Sequence, residues 1–482
     1  MMMEDEIKPF TCKPSILVWL ASLAALMNAA TVGLIIGFQA AGFESLKEET
    51  NIRNITFNSA YKEVGTMNWD KENTSWFAGI VSIGAGIGAL IAGPVLTILG
   101  PKMSVVVSNV PYLISWIMVI FGGNVPTIVA GRFFGGLSIG FSSGAVPVYC
   151  IEISTPNIRG TLGAAFQLFC NVGVLLAALI GFGLGYRQLS AISSLACIIG
   201  PIILFFMPES PNFLYGKYGA IDSKPLILNA LRRLRTPDSD IESEFRQISL
   251  ARTTSGAQKL ILGISEIKTP QVYKPLLISL ALMISQQFSG VNAVIFFQLN
   301  IFKETGLSMD PRIVAILTGL VLTLSCLIGS AVVDKVGRKT FLFYTGIGLL
   351  ITLMTLALYF QMKPAEISLQ KEYGTKYGII ALLAMEGFLL IFSLALGPIP
   401  WMMVPEMTPY SARTFITAVA VGFNWTLVFI ITFFFSKWVD AIGNQGVFYL
   451  FSAFVAAALV FIKFILPETK GKTNEQLEKL FC

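Results

Sequence analysis

The 482-residue sequence contains no histidine. That absence removes the commonest metal ligand and the one side chain that ordinarily titrates near neutral pH. Charge is scarce too, with Asp, Glu, Lys and Arg making up 13% of the chain, about half the share in a soluble protein. The six cysteines include no Cys-x-x-Cys pair. Cys150, Cys170, Cys197 and Cys326 lie in or beside apolar stretches, so neither a disulfide framework nor a metal site is indicated. No phosphate-binding glycine loop is present. The glycines of GAGIGALIAG (84–93) fall inside an apolar run, where small residues let helices approach closely. No nucleophile–base pair stands out. These absences argue against an enzyme, a cofactor and a nucleic-acid partner, and nothing marks an obligate protein partner.

What the chain has in quantity is apolar sequence: 54% hydrophobic residues and a mean hydropathy of +0.72. Runs of about 20 apolar residues can each cross a hydrocarbon core of about 30 Å. About twelve are visible, at 15–38, 76–99, 103–122, 126–149, 161–185, 188–207, 274–298, 311–333, 340–361, 378–403, 414–437 and 443–466. The expected class is an all-α membrane protein in contact with lipid. The first run follows an acidic start and exceeds a signal-peptide core, so it is read as uncleaved. Lys102, Arg159, Lys335, Arg338, Lys339, Arg413, Lys470 and Lys472 fall in alternate connections or after the last run. The positive-inside rule then places those connections and both termini in the cytoplasm. The first external loop, about 39–75, carries glycosylation sequons at Asn54 and Asn73, on the side this orientation requires.

One charged phrase occurs twice. Glu152 precedes Arg159 in EISTPNIR, and Glu406 precedes Arg413 in EMTPYSAR. The copies are 406 − 152 = 254 residues apart. PESPN (208–212) and PETKG (467–471) echo each other, as do GPVLTILGPK (93–102) and SAVVDKVGRK (330–339). Three echoes in one order imply a duplication, an arrangement common in transporters. The expected organisation is a six-helix half (1–207), a cytoplasmic linker with short amphipathic helices (208–270), a second six-helix half (271–466) and a cytoplasmic tail (467–482).

These phrases resemble the signatures of the sugar porter branch of the major facilitator superfamily. The resemblance rests on GRFFGG (131–136), PVYCIEISTPNIRG (147–160), PESP (208–211), QQFSGVNAV (286–294), DKVGRK (334–339), GPIPWMMVPE (397–406), NW (424–425) and PETKGKT (467–473). It covers nearly the whole chain. VDKVGRK and the Ser393–Gly397 approach to GPIPW are most similar to the insect trehalose-transporter group. The resemblance implies the major facilitator fold, with twelve transmembrane helices in two pseudo-symmetric halves. It also implies facilitative transport of a hexose or a trehalose-type disaccharide across the plasma membrane.

A sugar offers hydroxyls that donate and accept, and a weakly apolar ring face. Amides and an aromatic plane suit it. Gln286, Gln287 and Asn292 lie in the seventh apolar run, which Ser289-Gly290 should break. Gln167 offers an amide from the first half. Pro398 and Pro400 should disrupt the tenth run beside Trp401 and free backbone carbonyls, and Trp425 stands in the eleventh. Interhelical bonding and interfacial anchoring are the plainer roles for such residues. The resemblance is what implies sugar contact for all six. Three departures from the hexose-facilitator pattern make the expected cavity drier. Phe296-Phe297 stand for a tyrosine pair, Leu322 for an amide and Ser393 for an acid.

The resemblance also implies a cytoplasmic gate of charged groups that pair between halves. It assigns Glu152, Arg159, Glu209, Asp334, Arg338, Lys339, Glu406 and Arg413 to that gate, with Arg132 of GRFFGG placed in the same group. The loop motif before the third run lacks its usual acid and arginines, having Thr97, Ile98 and Pro101, whereas its second copy keeps Asp334, Gly337, Arg338 and Lys339. An asymmetric gate is therefore expected. Proton coupling needs a titratable group in the pathway. Where proton-coupled relatives place an aspartate after a Gly-aromatic pair, this chain has Gln39 after Gly37-Phe38. Uniport is the better reading, with Glu386 in the tenth run as the one residue against it. A sugar-sensing receptor on a transporter fold is the competing class, although few residues follow PETKGKT.

Overall fold

In an apolar environment every backbone N–H and C=O must find a partner within the protein, so long apolar runs fold as helices. The computed structural model describes residues 13–58, 69–155, 157–254, 264–307, 309–364, 367–409, 412–470, 476–477 and 481. Six long helices come first: α1 (Ile16–Asn58), α2 (Lys71–Leu99), α3 (Pro101–Phe121), α4 (Val125–Ile153), α5 (Arg159–Gly183) and α6 (Tyr186–Phe205). Short helices α7 (Pro211–Asp222), α8 (Lys224–Leu234), α9 (Ile241–Thr254) and α10 (Ile264–Ile267) follow. The remainder is α11 (Pro270–Gln287), α12 (Val291–Thr305), α13 (Pro311–Val336), α14 (Arg338–Met362), α15 (Ile367–Ile391), a π-helical segment Phe392–Leu396, α16 (Ile399–Met407) and α17 (Arg413–Phe464).

Among the described residues, eleven stretches are long and apolar enough to cross a membrane. The last covers 50 residues, Phe415–Phe464, and the chain turns within it at Gly443, where φ is 73° and ψ is 167°. Each arm is long enough for a core of about 30 Å. The last two expected runs are thus joined as one continuous element. The loop expected over 39–75 is also mostly absent, because α1 continues to Asn58 and α2 starts at Lys71. No proline interrupts residues 39–58, so the helix outlasts its apolar stretch.

Glycine decides how the first half packs. A Cβ on Gly88 would lie 1.9 Å from the Leu137 carbonyl oxygen, and one on Gly140 would lie 1.8 Å from that of Ala85. The backbones of α2 and α4 therefore touch, and any side chain at either position would force them apart. Gly84 and Gly88 of the 84–93 stretch serve this seam. α8 buries Ile227, Ala230, Leu231 and Leu234 and turns its arginines outward, so it is amphipathic. Arg235, 3% exposed, fastens it to the first half. It donates to the carbonyls of Ile153 (2.8 Å) and Ser154 (3.4 Å) at the end of α4 and pairs with Glu244 at 2.6 Å. A cation on the last carbonyls of a helix is favourable.

The two helical groups meet along three seams: α2 on α17, α5 on α13 and α1 on α12. Trp76 meets Phe433 edge-on at 4.8 Å. Trp425 lies against Gly86, and Leu175 against Gly319. Ion pairs Lys71–Asp440 (2.7 Å), Arg312–Glu48 (3.8 Å) and Lys303–Glu44 join the groups at one end of the bundle. We call this the Lys303 end. The opposite end carries Glu152, Glu209, Arg338 and Glu406, and we call it the Arg338 end.

Candidate functional site

The break between α11 and α12 is built from Gly290, whose φ of 87° is left-handed. A Cβ there would lie 2.3 Å from the Phe451 ring, so both conformation and space call for glycine. The break lets two adjacent amides turn to neighbouring tasks. Gln286 Nε2 donates to the carbonyls of Leu396 (3.1 Å) and Gly397 (2.7 Å). Those carbonyls lie where the π segment and Pro398 interrupt the helical ladder. Gln286 Oε1 accepts from Asn424 Nδ2 at 2.9 Å and from Gln287 Nε2 at 3.2 Å. Asn292 in turn donates to Gln287 Oε1.

A satisfiability count separates these residues. A glutamine side chain offers two N–H groups and a carbonyl with two lone pairs. Gln286 has all four engaged within the protein. Gln287 keeps one N–H and one lone pair, while Asn292 keeps one N–H and its whole Oδ1. The capacity to bind a ligand therefore lies with Gln287 and Asn292, and Gln286 holds the two helix breaks together.

The first half contributes a second amide pair. Gln167 Nε2 donates to Asn171 Oδ1 (3.1 Å), and Asn171 Nδ2 donates to the Leu322 carbonyl (2.9 Å) across the α5–α13 seam. The same carbonyl accepts from Ser393 Oγ at 3.1 Å. Asn171 is buried, whereas Gln167, one turn nearer the Arg338 end, is exposed. Trp401 is 37% exposed. Trp425 is half-buried against the first half. Hydrogen bonds thus join Gln286, Gln287 and Asn292, and the Leu322 carbonyl with Ser393 connects Gln167 to the same region. Trp425 lies midway along the first arm of α17, whereas Trp401, in α16, lies toward the Arg338 end. Three more belong with them: Asn171, Ser393 as a donor, and Asn424. Asn424 was visible in the NW phrase, and Asn171 could have been found as a polar residue four positions from Gln167. Phe296 and Phe297 are buried, and Phe297 packs 4.8 Å from Phe435, so aromatic packing fills that wall.

At the Arg338 end the two halves repeat one construction. Glu209 accepts from the backbone N–H of Lys102 and of Ser210, each at 3.0 Å. Glu468 accepts from those of Arg338 and Lys339, also at 3.0 Å. Each acid caps the helix that follows a tight glycine turn, Gly100 (φ 84°) or Gly337 (φ 99°). Ser210 Oγ donates to Glu152, and Thr469 Oγ1 to Glu406 at 2.6 Å. Arg338 adds an ion pair to Glu406 at 3.3 Å. The position matching Arg338 in the first half is Pro101. Burial raises the Glu209 carboxyl above its ordinary pKa. Burial also pushes on Glu468, but four backbone N–H donors outweigh it and hold that carboxyl low. Glu468 was overlooked in sequence because the PETKG echo was read only as a repeat. Arg413 Nη2 reaches the Thr408 carbonyl at 3.4 Å, and Lys339 is half-buried. The side chains of Arg159 and Asp334 lie outside the described residues.

Arg132 does not belong at that end. It sits near the start of α4, about 30 Å of helix from Glu152 at 1.5 Å per residue, and is 1% exposed. It donates to the Ile35 carbonyl (2.8 Å) and to Gln39 Oε1 (3.2 Å) and lies over the Phe77 ring. Its assignment to the gate came from a phrase, without regard to which end of the helix carries it. The Asn73 sequon is folded into the first turn of α2, with Ser75 buried and bonded to the Lys71 carbonyl. The Asn54 side chain is outside the described residues. Glu386 accepts from Thr318 Oγ1 at 2.6 Å.

Comparison with known proteins bears on the family and the fold. The profile of the sugar (and other) transporter family matches residues 24–481. The silkworm Bombyx mori facilitated trehalose transporter Tret1 is 33% identical over 434 residues, covering 88% of this chain and 83% of its own length. That of Drosophila grimshawi is 32% identical over 464 residues, covering 96% of this chain but 48% of its own. The chain spans about half the length of several such relatives. Among solved structures, the proton:xylose symporter XylE with bound 6-bromo-6-deoxy-D-glucose superposes with a TM-score of 0.73 at 23% identity, covering 96% of this chain and 99% of that one. A partially occluded inward-open form of XylE from E. coli gives 0.74 at 20% identity, covering 95% and 100%. At such identities the likeness bears on the fold alone. The fold is that of the major facilitator superfamily, and the chain belongs to the sugar transporter family.

Proposed function

We propose that the protein is a facilitative uniporter that carries a hexose or a trehalose-type disaccharide across the plasma membrane by alternating access. The observation that carries this reading is the amide belt. Gln287 and Asn292 on one side, and Gln167 on the other, keep free donors and acceptors at mid-depth. Trp401 offers a ring face. Neutral amides suit hydroxyls and need no counter-charge. Relatives named as facilitated trehalose transporters support a sugar substrate.

The environment of Arg132 favours uniport. Its described polar partners are a main-chain carbonyl and a neutral amide, so no proton has to leave for the arginine to be paired. In this reading both termini and the Arg338 end face the cytoplasm. Glu152, Arg159, Glu209, Asp334, Arg338, Lys339, Glu406 and Arg413 form the cytoplasmic gate, with Glu468 added to it. The conformation described is closed at the Lys303 end. The test is counterflow of radiolabelled glucose, fructose and trehalose in proteoliposomes, with and without a proton gradient. Exchange that ignores the gradient and is lost in Gln287→Ala supports the proposal. Absence of exchange for every sugar contradicts it.

A further inference from the structure

The Asn171 side chain reaches, by hydrogen bonds, both a ligand-capable amide of its own half and the backbone of the other. Its Oδ1 holds Gln167 (3.1 Å), and its Nδ2 crosses the seam to the Leu322 carbonyl (2.9 Å). Position 322 supplies no polar side chain, so the amide at this depth comes from α5. The Leu322 carbonyl is also bonded by Ser393, the second residue of the π segment whose far end is held by Gln286. A single main-chain oxygen thus connects the first-half amide pair to the break that carries the second-half amides. Gln167 has an N–H and both Oε1 lone pairs to spare and is exposed. The seam reaches Asn171 and leaves Gln167, one turn on, uncovered.

Resting on the sugar-transport reading above, we infer that Asn171 is a positioning residue that couples the aim of the Gln167 amide to the relative placement of the two halves. With the α5–α13 seam closed, Asn171 is anchored on Leu322 and fixes Gln167 toward hydroxyls of the bound sugar. When the halves rock, the anchor is broken or remade, and the first-half contact to substrate changes with it. This gives the sugar different contacts in the two conformations, which is what a ligand needs to bias an equilibrium between them.

The test is a double-mutant cycle on counterflow in proteoliposomes. Asn171→Val and Gln167→Ala each raise the half-saturating sugar concentration by roughly fivefold, the order expected for one lost hydrogen bond. Together they are no worse than either alone, since the second change removes an amide already released. Combining Asn171→Val with Gln287→Ala multiplies the two effects, because Gln287 belongs to the other pair. Asn171→Leu, nearly the same shape but unable to donate to Leu322, behaves as Asn171→Val and guards against a packing defect. Additive effects of Asn171→Val and Gln167→Ala, or an unchanged half-saturation in both Asn171 variants, overturn the coupling. Failure of the wild-type protein to exchange any sugar would instead sink the transport reading.

Discussion

The two ends of the bundle use charge differently. At the Lys303 end, Lys303–Glu44, Arg312–Glu48 and Lys71–Asp440 tie one half to the other. At the Arg338 end, the two caps and the Arg338 ion pair run within a half: Glu209 caps α3, Glu468 caps α14, and Arg338 holds Glu406. Seam packing follows the same division. Trp76 on Phe433, and Leu175 on Gly319, lie toward the Lys303 end, while Gln167 is exposed on the side toward Arg338. Exposed ion pairs contribute only about 0–1 kcal/mol each. The three pairs alone are a weak clasp, and the helix seams beneath them hold the closure. A cavity of about 540 Å³, lined by Glu44, Glu48, Lys303 and Arg312, lies among these charges.

The largest effect should come from fixing that closure. A disulfide between cysteines in Glu44→Cys/Lys303→Cys should reduce counterflow to background and release it on reduction. A cross-linked protein that still exchanges sugar would mean that this end never opens.

A smaller and more selective effect separates adjacent glutamines. Gln286→Ala leaves two carbonyls and Asn424 without their partner, at about 1–3 kcal/mol per unsatisfied group. It should lower the unfolding temperature more than Gln287→Ala does. Gln287→Ala should raise the half-saturating sugar concentration at nearly unchanged stability. Equal stability losses in the two variants would contradict the division between a structural and a ligand-facing amide.

Sequence made some of this legible and hid the rest for physical reasons. Apolar runs marked the spans, and the paired phrases at Glu152 and Glu406 marked the repeat. The break at Ser289-Gly290 and the prolines at 398 and 400 located the amide belt. The saturation of Gln286 was hidden, because its partners are the carbonyls of Leu396 and Gly397, and any residue can supply a carbonyl. Asn171 was passed over for the same reason, its partner being the main chain of a leucine. Arg132 was misplaced because a family phrase carries no depth, whereas its distance along α4 does. The Lys303-end pairs join residues more than two hundred positions apart, and all but Arg312 lie in segments first read as loop.

The smallest effect concerns pH. Glu209 has a raised folded carboxyl, so its contribution to stability is present below the ordinary value of about 4.3 and is lost as pH rises through the folded value. Glu468 is held low, so its contribution is present above that ordinary value and is lost as pH falls through the folded one. On acidification Glu209 should take up its proton first, as followed by carboxyl carbon shifts in ¹³C-glutamate-labelled protein. The reverse order would show that the two matched caps differ in the opposite sense.

The most direct measurement is the sidedness of access to Gln167. Gln167→Cys, with the six native cysteines replaced, is placed in liposomes of known orientation and treated with a membrane-impermeant maleimide. The account predicts fast labelling from the Arg338 side and protection from the Lys303 side. Fast labelling from the Lys303 side with protection from the Arg338 side would contradict it.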